Sequence, residues 1–239
     1  ATATIYNGVN ATTDIDTLIN IENIDGSKND DTITGNNSDN TILGNVGKDL
    51  IYGSEGKDTI DGGSEFDSVD YSKMNQKIEL TTTSNTNNYT VTKGSGKVDT
   101  LTNVEEIIGT SYDDEMTGAE LSDTFRSGAG NDTLIGGKGN DYLEGGSGND
   151  IYKATSFDDG DDTLTDSDGS DSVDYSAITD NTYHLELNLS TTTVGVLAAG
   201  KALIKDSSTI HQTDTLLGIE NVIGTAGDDT IVGNDEINI

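Results

Sequence analysis

A phrase of nine residues recurs along much of this chain, and a repeat that short narrows the possible folds before any single residue does. From Gly26 the sequence runs GSKNDDTIT, GNNSDNTIL, GNVGKDLIY, GSEGKDTID and GGSEFDSVD, ending at Asp70. Position six is Asp31, Asn40, Asp49, Asp58 and Asp67; position eight is Ile33, Ile42, Ile51, Ile60 and Val69. A second block opens at Gly109, with Asp114, Asp123, Asp132, Asp141 and Asp150 at position six and Met116, Phe125, Leu134, Leu143 and Tyr152 at position eight. Ala154 to Ser156 then interrupt the count, and two more units bring Asp162 with Leu164 and Asp171 with Val173. A third block starts at Gly224 and carries Asp229 and Ile231.

A longer period encloses the blocks. Similar lead-ins begin at Asp16, Asp99 and Asp214, and counting back in nines puts Glu22, Glu105 and Glu220 at position six of a unit ahead of each block. Both longer blocks close on the same string, Val69-Asp-Tyr-Ser and Val173-Asp-Tyr-Ser. The expected organisation is a partial insert and lead-in over 1–25, a repeat block over 26–72, an insert and lead-in over 73–108, a second block over 109–176, another insert and lead-in over 177–223, and a third block from 224 to 239. A chain that begins inside an insert and stops inside a repeat reads as a piece of a longer protein.

Within a unit, six residues rich in Gly, Asn, Asp and Ser suit a sharp turn. The last three alternate polar, apolar, polar, the period of a strand with one buried face. Two units make one flattened coil, and stacked coils pair their strands at about 4.8 Å. The core is thin: each unit adds one side chain worth roughly 1.5–3 kcal/mol when fully buried, against backbone ordering of about 1–2 kcal/mol per residue. Charge deepens the deficit, since 44 acidic and 12 basic residues leave a net −32. Stacking brings the position-six carboxylates together, so the coil needs counter-cations. Oxygen-rich turns suit Ca²⁺, which takes six to eight oxygens, better than Mg²⁺ with its stricter octahedron. The chain has no cysteine, which removes disulfides and thiolate zinc sites.

GGKGNDYLE and GGSGNDIYK, at Gly136 and Gly145, resemble the GGxGxDxUx nonapeptide of the RTX, or haemolysin-type calcium-binding, proteins. The resemblance implies an all-β fold: a right-handed parallel β-roll, or β-solenoid, with short β-hairpin inserts between the blocks. It also implies ions between turns two units apart, on one edge of the roll. Each turn gives carbonyls of positions one and three to one ion and of two and four to the next, and the aspartate is shared. On that basis Asp31 pairs with Asp49, Asn40 with Asp58, Asp49 with Asp67, Asp114 with Asp132, Asp123 with Asp141, and Asp132 with Asp150. The implied carbonyl donors are Gly44, Val46 and Gly47, then Gly53, Glu55 and Gly56. In the second block they are Ser127, Gly128, Ala129 and Gly130; Gly136, Gly137, Lys138 and Gly139; and Gly145, Gly146, Ser147 and Gly148. Asn29, Ser38 and Glu65 replace the position-four glycine and Asn40 replaces an aspartate, so the first sites are expected weak or empty. The insertion at Ala154–Ser156 puts Asp162 and Asp171 at risk. Glu22, Glu105 and Glu220 either close end sites or cap the roll. Pairing the turns gives roughly eight ions.

The inserts contain alternating stretches such as Lys77-Ile-Glu-Leu-Thr and His184-Leu-Glu-Leu-Asn-Leu, expected to form hairpins over the roll's ends or edges. No nucleophile–base grouping is legible, so the segment reads as non-catalytic. The acidic balance argues against nucleic acid, and no apolar run is long enough for membrane insertion. The resemblance implies a bacterial protein exported by type I secretion, folding when it meets calcium outside the cell. Two roles follow: a structural rod of a secreted or surface protein such as an adhesin, S-layer or matrix component, with other copies or matrix components as partners, or an accessory segment of a secreted enzyme or toxin.

Overall fold

The turn–strand alternation of the nonapeptide becomes a stack of short strands. The structure, a computed structural model, describes residues 2–4, 21–82, 88–190, 192, 194 and 198–234. The first lead-in up to Asn20 and the end of the last unit, 235–239, lie outside these. Every regular element among the described residues is a strand, and the strands form one twelve-stranded and one eleven-stranded sheet. Successive units alternate between the two sheets. In the first block Asn23–Asp25, Thr41–Val46 and Thr59–Ser64 lie in the twelve-stranded sheet, and Thr32–Thr34, Leu50–Tyr52 and Ser68–Asp70 in the eleven-stranded one.

Pairing within each block is parallel, and its register puts position eight over position eight. Ile24, Ile42 and Ile60 align, as do Ile33, Ile51 and Val69. In the second block Met116, Leu134, Tyr152 and Val173 form one row, and Phe125, Leu143 and Leu164 another. All of these are buried while their strand neighbours are not, the burial pattern of a two-walled roll one side chain thick. The steps from Leu143 to Leu164 and from Tyr152 to Val173 are each three residues longer than the others, and the register still holds. The structure is thus a parallel β-roll.

The inserts differ from expectation. They do not lie over an end or edge but are spliced into the sheets. Ile78–Thr82, Tyr89–Lys93 and Val98–Thr102 form an antiparallel trio inside the twelve-stranded sheet. The trio's outer strands pair parallel with the flanking blocks, Leu101 beside Ile60 and Leu80 beside Met116. The other sheet passes the insert directly, Val69 to Ile107 to Phe125. The second insert does the same on the opposite wall: His184–Asn188, Lys201–Lys205 and Ile210–Leu217 join the eleven-stranded sheet between Thr163–Thr165 and Thr230–Val232. The physical reason lies in the alternating apolar residues: Ile78, Leu80 and Val91, with Leu185 and Leu187, are buried and continue the core. A strand with one apolar face is better covered within the roll than on its rim.

Candidate metal centre

Each turn ends on its position-six acid immediately before a strand, so the register that stacks strands also stacks carboxylates. On one edge the backbone N–H of Asp31 donates to Asp49 Oδ1 at 2.8 Å, that of Asp49 to Asp67 Oδ1 at 2.8 Å, and that of Asp67 to Glu105 Oε2 at 2.8 Å. On the other edge Asn40 donates to Asp58 Oδ1 at 2.9 Å and Asp58 to Asp99 Oδ1 at 2.7 Å. Glu22 heads that edge, its carbonyl accepting from Thr41 N–H at 2.7 Å.

The second block builds the same two ladders. One starts where Ile78 N–H donates to Asp114 and continues through Asp132, Asp150 and Asp171 to Glu220. The other runs from Asp123 through Asp141 and Asp162 to Asp214. Asp229 opens a third block in the same way, accepting from Leu185 N–H at 2.8 Å. The insertion at Ala154–Ser156 does not break the row; Asp162 and Asp171 keep their rungs. Glu105 and Glu220 are joined to the last acids of the blocks before them, not to those that follow.

The ladder engages one carboxylate oxygen and leaves the other. The buried Oδ2 atoms of Asp49, Asp67, Asp132, Asp141 and Asp150 have no hydrogen-bond partner. An orphaned buried oxygen costs about 1–3 kcal/mol, and more on a charged group. Burial accordingly pushes the Asp67 and Asp114 carboxyls up to about 6, Asp141, Asp150 and Asp171 up to about 7, and Asp162 up to about 8. For four of the orphaned oxygens a glycine at position one, Gly44, Gly62, Gly136 or Gly145, keeps the space beside it open; in the Asp132 unit that position is Ser127. A Cβ at Gly44 would strike both Asp49 Oδ2 and the Gly62 carbonyl, and one at Gly118 both Asp123 Oδ2 and the Gly136 carbonyl. Own-turn carboxylate and next-turn carbonyl therefore converge on one point, a donor set of oxygens alone that suits a hard divalent cation.

Turns at the start of a ladder are closed differently. Asp31 Oδ2 accepts from Ser27 N–H at 2.5 Å, Asp114 Oδ2 from Thr110 N–H at 2.6 Å, and Asp123 Oδ2 from Ala119 N–H at 3.2 Å. Asn40 Oδ1 takes Asn36 N–H at 2.8 Å. The expected carbonyl donors lie between ladder rungs: Gly53–Gly56 and Gly136–Gly139 in turns, the others at the ends of Thr41–Val46, Thr124–Ala129 and Tyr142–Ser147 or just after them. Of these, Gly47, Gly128, Gly130, Gly137, Gly139, Gly146 and Gly148 hold positive φ. Gly53 has no room for a side chain because the Tyr71 ring packs against it, and a Cβ at Gly56 would meet the Ser38 carbonyl. The side chains of Val46 and Lys138 face outward, Lys138 towards Glu120 at 3.5 Å, while Glu55 accepts from Gln76 at 3.0 Å. Ser127 adds a hydroxyl that donates to the Gly145 carbonyl at 2.8 Å, whose neighbours Ala129 and Ser147 pair in register.

Four acids escaped the nine-residue count. Asp99 and Asp214 end a row each, and the tyrosines of the two closing strings donate to them: Tyr71 to Asp99 Oδ2 at 2.9 Å and Tyr175 to Asp214 Oδ2 at 2.6 Å. The recurrent Asp-Thr-Leu of the lead-ins was the available signal, since it repeats positions six to eight. Asp166 stands where position one has glycine, and its carboxylate lies with those of Asp150 and Asp171 within 4.8 Å of one another. Asp159, position three of the unit after the insertion, is buried and accepts from Thr155 and Ser156. It lines a small cavity with Gly136, Gly137, Asp162 and Asp214.

The family profile of the RTX calcium-binding nonapeptide repeat matches in four copies, over residues 20–51, 34–69, 117–152 and 214–236. The chain carries RTX calcium-binding repeats. The matched stretches carry the ladder acids from Asp31 to Asp67 and from Asp123 to Asp150, while Asp114, Asp162 and Asp171 continue the same ladders outside them. Among solved structures, the crystal structure of extracellular lipase LipA from Serratia marcescens is similar over 82% of this chain and 37% of that chain, at 19% identity and a TM-score of 0.33. The chain thus spans little more than a third of that lipase's length. No curated protein matches it.

Proposed function

We propose that this RTX segment is a calcium-triggered rod: it folds on meeting Ca²⁺ outside a bacterial cell, after type I export, and stiffens a larger secreted or surface protein. The observation that carries the reading is the row of buried, partnerless Oδ2 atoms on Asp49, Asp67, Asp132, Asp141 and Asp150. Calcium would be held by these oxygens and by turn carbonyls such as those of Gly62 and Gly136, and when bound it supplies the positive charge that the stacked aspartates lack. Asp166 would give the rung between Asp150 and Asp171 a further carboxylate. Without the ion the same acids repel one another and keep the chain open for transport. Binding then becomes folding free energy, because the site does not exist in the unfolded chain.

The rod role draws support from the spliced inserts, which let both walls run on through each block boundary. Twelve strands at about 4.8 Å extend roughly 50 Å. Adhesin, S-layer or matrix settings use such stiffness, with other copies or matrix components as partners, and no catalytic step is assigned to these residues. The test is far-UV circular dichroism of the full chain during a calcium titration from chelator, with magnesium as control. A cooperative gain of β signal with calcium alone is expected. A fully formed spectrum in chelator would refute the folding switch.

A further inference from the structure

One rung already holds a cation. Lys93 ends its strand with the side chain fully buried, and its ammonium lies 2.5 Å from Ser54 O, 2.5 Å from Gly56 O, 2.7 Å from Asp99 Oδ1 and 3.7 Å from Asp58 Oδ2. An ammonium has three N–H donors, and three acceptors stand in hydrogen-bond range. Ser54 and Gly56 are positions two and four of their turn, Asp58 is position six, and Asp99 is the acid one rung on. On the calcium reading, the same positions would face an ion at the other rungs.

The geometry points to a cation site filled by the protein itself: Lys93 Nζ takes the place of calcium between the turn 53–58 and Asp99, so this rung binds no metal and closes without it. The inference rests on the calcium reading above and deepens it. A second observation agrees. Asp58 Oδ1 accepts from Asn40 N–H and Oδ2 from Ser54 Oγ; Asp99 Oδ1 accepts from Asp58 N–H and Lys93, and Oδ2 from Tyr71. No oxygen of this carboxylate pair is orphaned, whereas Asp49, Asp67, Asp132, Asp141 and Asp150 each leave one bare. The charge is covalently supplied and does not depend on calcium concentration. The strands it joins, Thr59–Ser64 and Val98–Thr102, then form a template on which calcium-dependent turns can stack.

The test compares the full chain with Lys93→Ala and Lys93→Met by native mass spectrometry in saturating calcium and by hydrogen exchange in chelator. The wild type should keep protection over 58–61 and 99–102 in chelator while 141–146 exchanges freely. Lys93→Ala should lose that protection by about tenfold or more and bind one more calcium than the wild type. Lys93→Met fills the space without charge, so it should lose protection and gain no ion. Equal ion counts in the wild type and Lys93→Ala, with protection unchanged, would overturn the inference. If Lys93→Ala fails to fold in any condition, Lys93→Arg decides: wild-type protection in chelator supports the inference and its loss refutes it. Failure of the calcium reading looks different, since no chain would then bind ions at all.

Discussion

At the first junction between block and insert, Asp58 and Asp99 stack around the buried ammonium of Lys93; at the second, Asp162 and Asp214 stack beside Gln212. The frame is otherwise the same. A closing-string tyrosine donates to the lead-in aspartate in both, and the preceding acid's N–H donates to its Oδ1. Gln212 gives its amide to both oxygens of Asp214, at 3.0 and 2.8 Å, but brings no charge, and its own Oε1 is orphaned. Asp159 adds a further carboxylate nearby. Burial pushes Asp162 up to about 8 and Asp214 up to about 6. At the first junction burial raises Asp99 too, but the Lys93 contact pulls it back. One frame thus accepts either an internal cation or an imported one, and the choice sets which part of the roll depends on calcium.

The largest test of that contrast removes a shared ladder acid on each side. Asp141→Ala takes out a buried ligand and should raise the calcium midpoint for folding of the second block about a hundredfold, some 3 kcal/mol. It should change nothing in chelator, where that block is open. Asp58→Ala should weaken the first junction with or without calcium, which hydrogen exchange in both conditions would report. If both variants depend on calcium alike, the contrast fails.

Next comes pH. For a carboxyl raised from an unfolded value near 4 to about 7 or 8, the folded state holds a proton that the unfolded state has released. Stability is therefore fully present below the unfolded pKa and is lost as pH rises through the folded one. Calcium-stripped protein, whose second block is open at pH 8, should gain a melting transition at pH 5. The second block should show most of the difference, because Asp141, Asp150, Asp162 and Asp171 reach about 7 to 8 while in the first block Asp67 reaches about 6. In calcium the midpoint should move to higher concentration on acidification, as protons compete for the same oxygens.

Transplanting the device is a smaller effect. Gln212→Lys should give the second junction chelator-resistant protection and remove one bound ion, read by exchange and native mass spectrometry. Smallest are the tyrosine hydroxyls. Tyr175→Phe and Tyr71→Phe each remove one buried hydrogen bond to a carboxylate, worth about 1.5–3 kcal/mol in principle. Tyr175→Phe should cost more, since Asp214 has no ammonium to fall back on. Equal shifts in melting temperature would show that Lys93 does little for Asp99.

Much of the roll was legible because its rule is local. The nine-residue period fixes where chain turns and where it pairs, so the buried position-eight row from Ile33 to Val173 could be named from sequence alone. The carboxylate stack at an eighteen-residue step follows from the same count. Lys93 could not be found that way. It sits before Gly94 in a hairpin turn, where a lysine ordinarily reaches water, and only the antiparallel excursion brings it 39 residues back to Ser54. Asp99 and Asp214 lie outside the glycine-rich phrase, so their Asp-Thr-Leu alone marked a kinship to position six that the pairing of their strands makes plain. The inserts' place in the sheets was hidden for a related reason: alternation predicts a strand but not its neighbours.

The splicing of the inserts has a mechanical consequence. Each antiparallel trio adds two more strands to one wall than the other wall gains, a surplus of about 10 Å at normal strand spacing. A two-walled bar lengthened on one side must bow or shear. Because the first trio enters the twelve-stranded wall and the second the eleven-stranded wall, the two distortions act in opposite senses and offset one another across the chain. The natural unit of straightness is therefore the pair of modules, and deleting either insert should leave a bent bar rather than a shorter straight one.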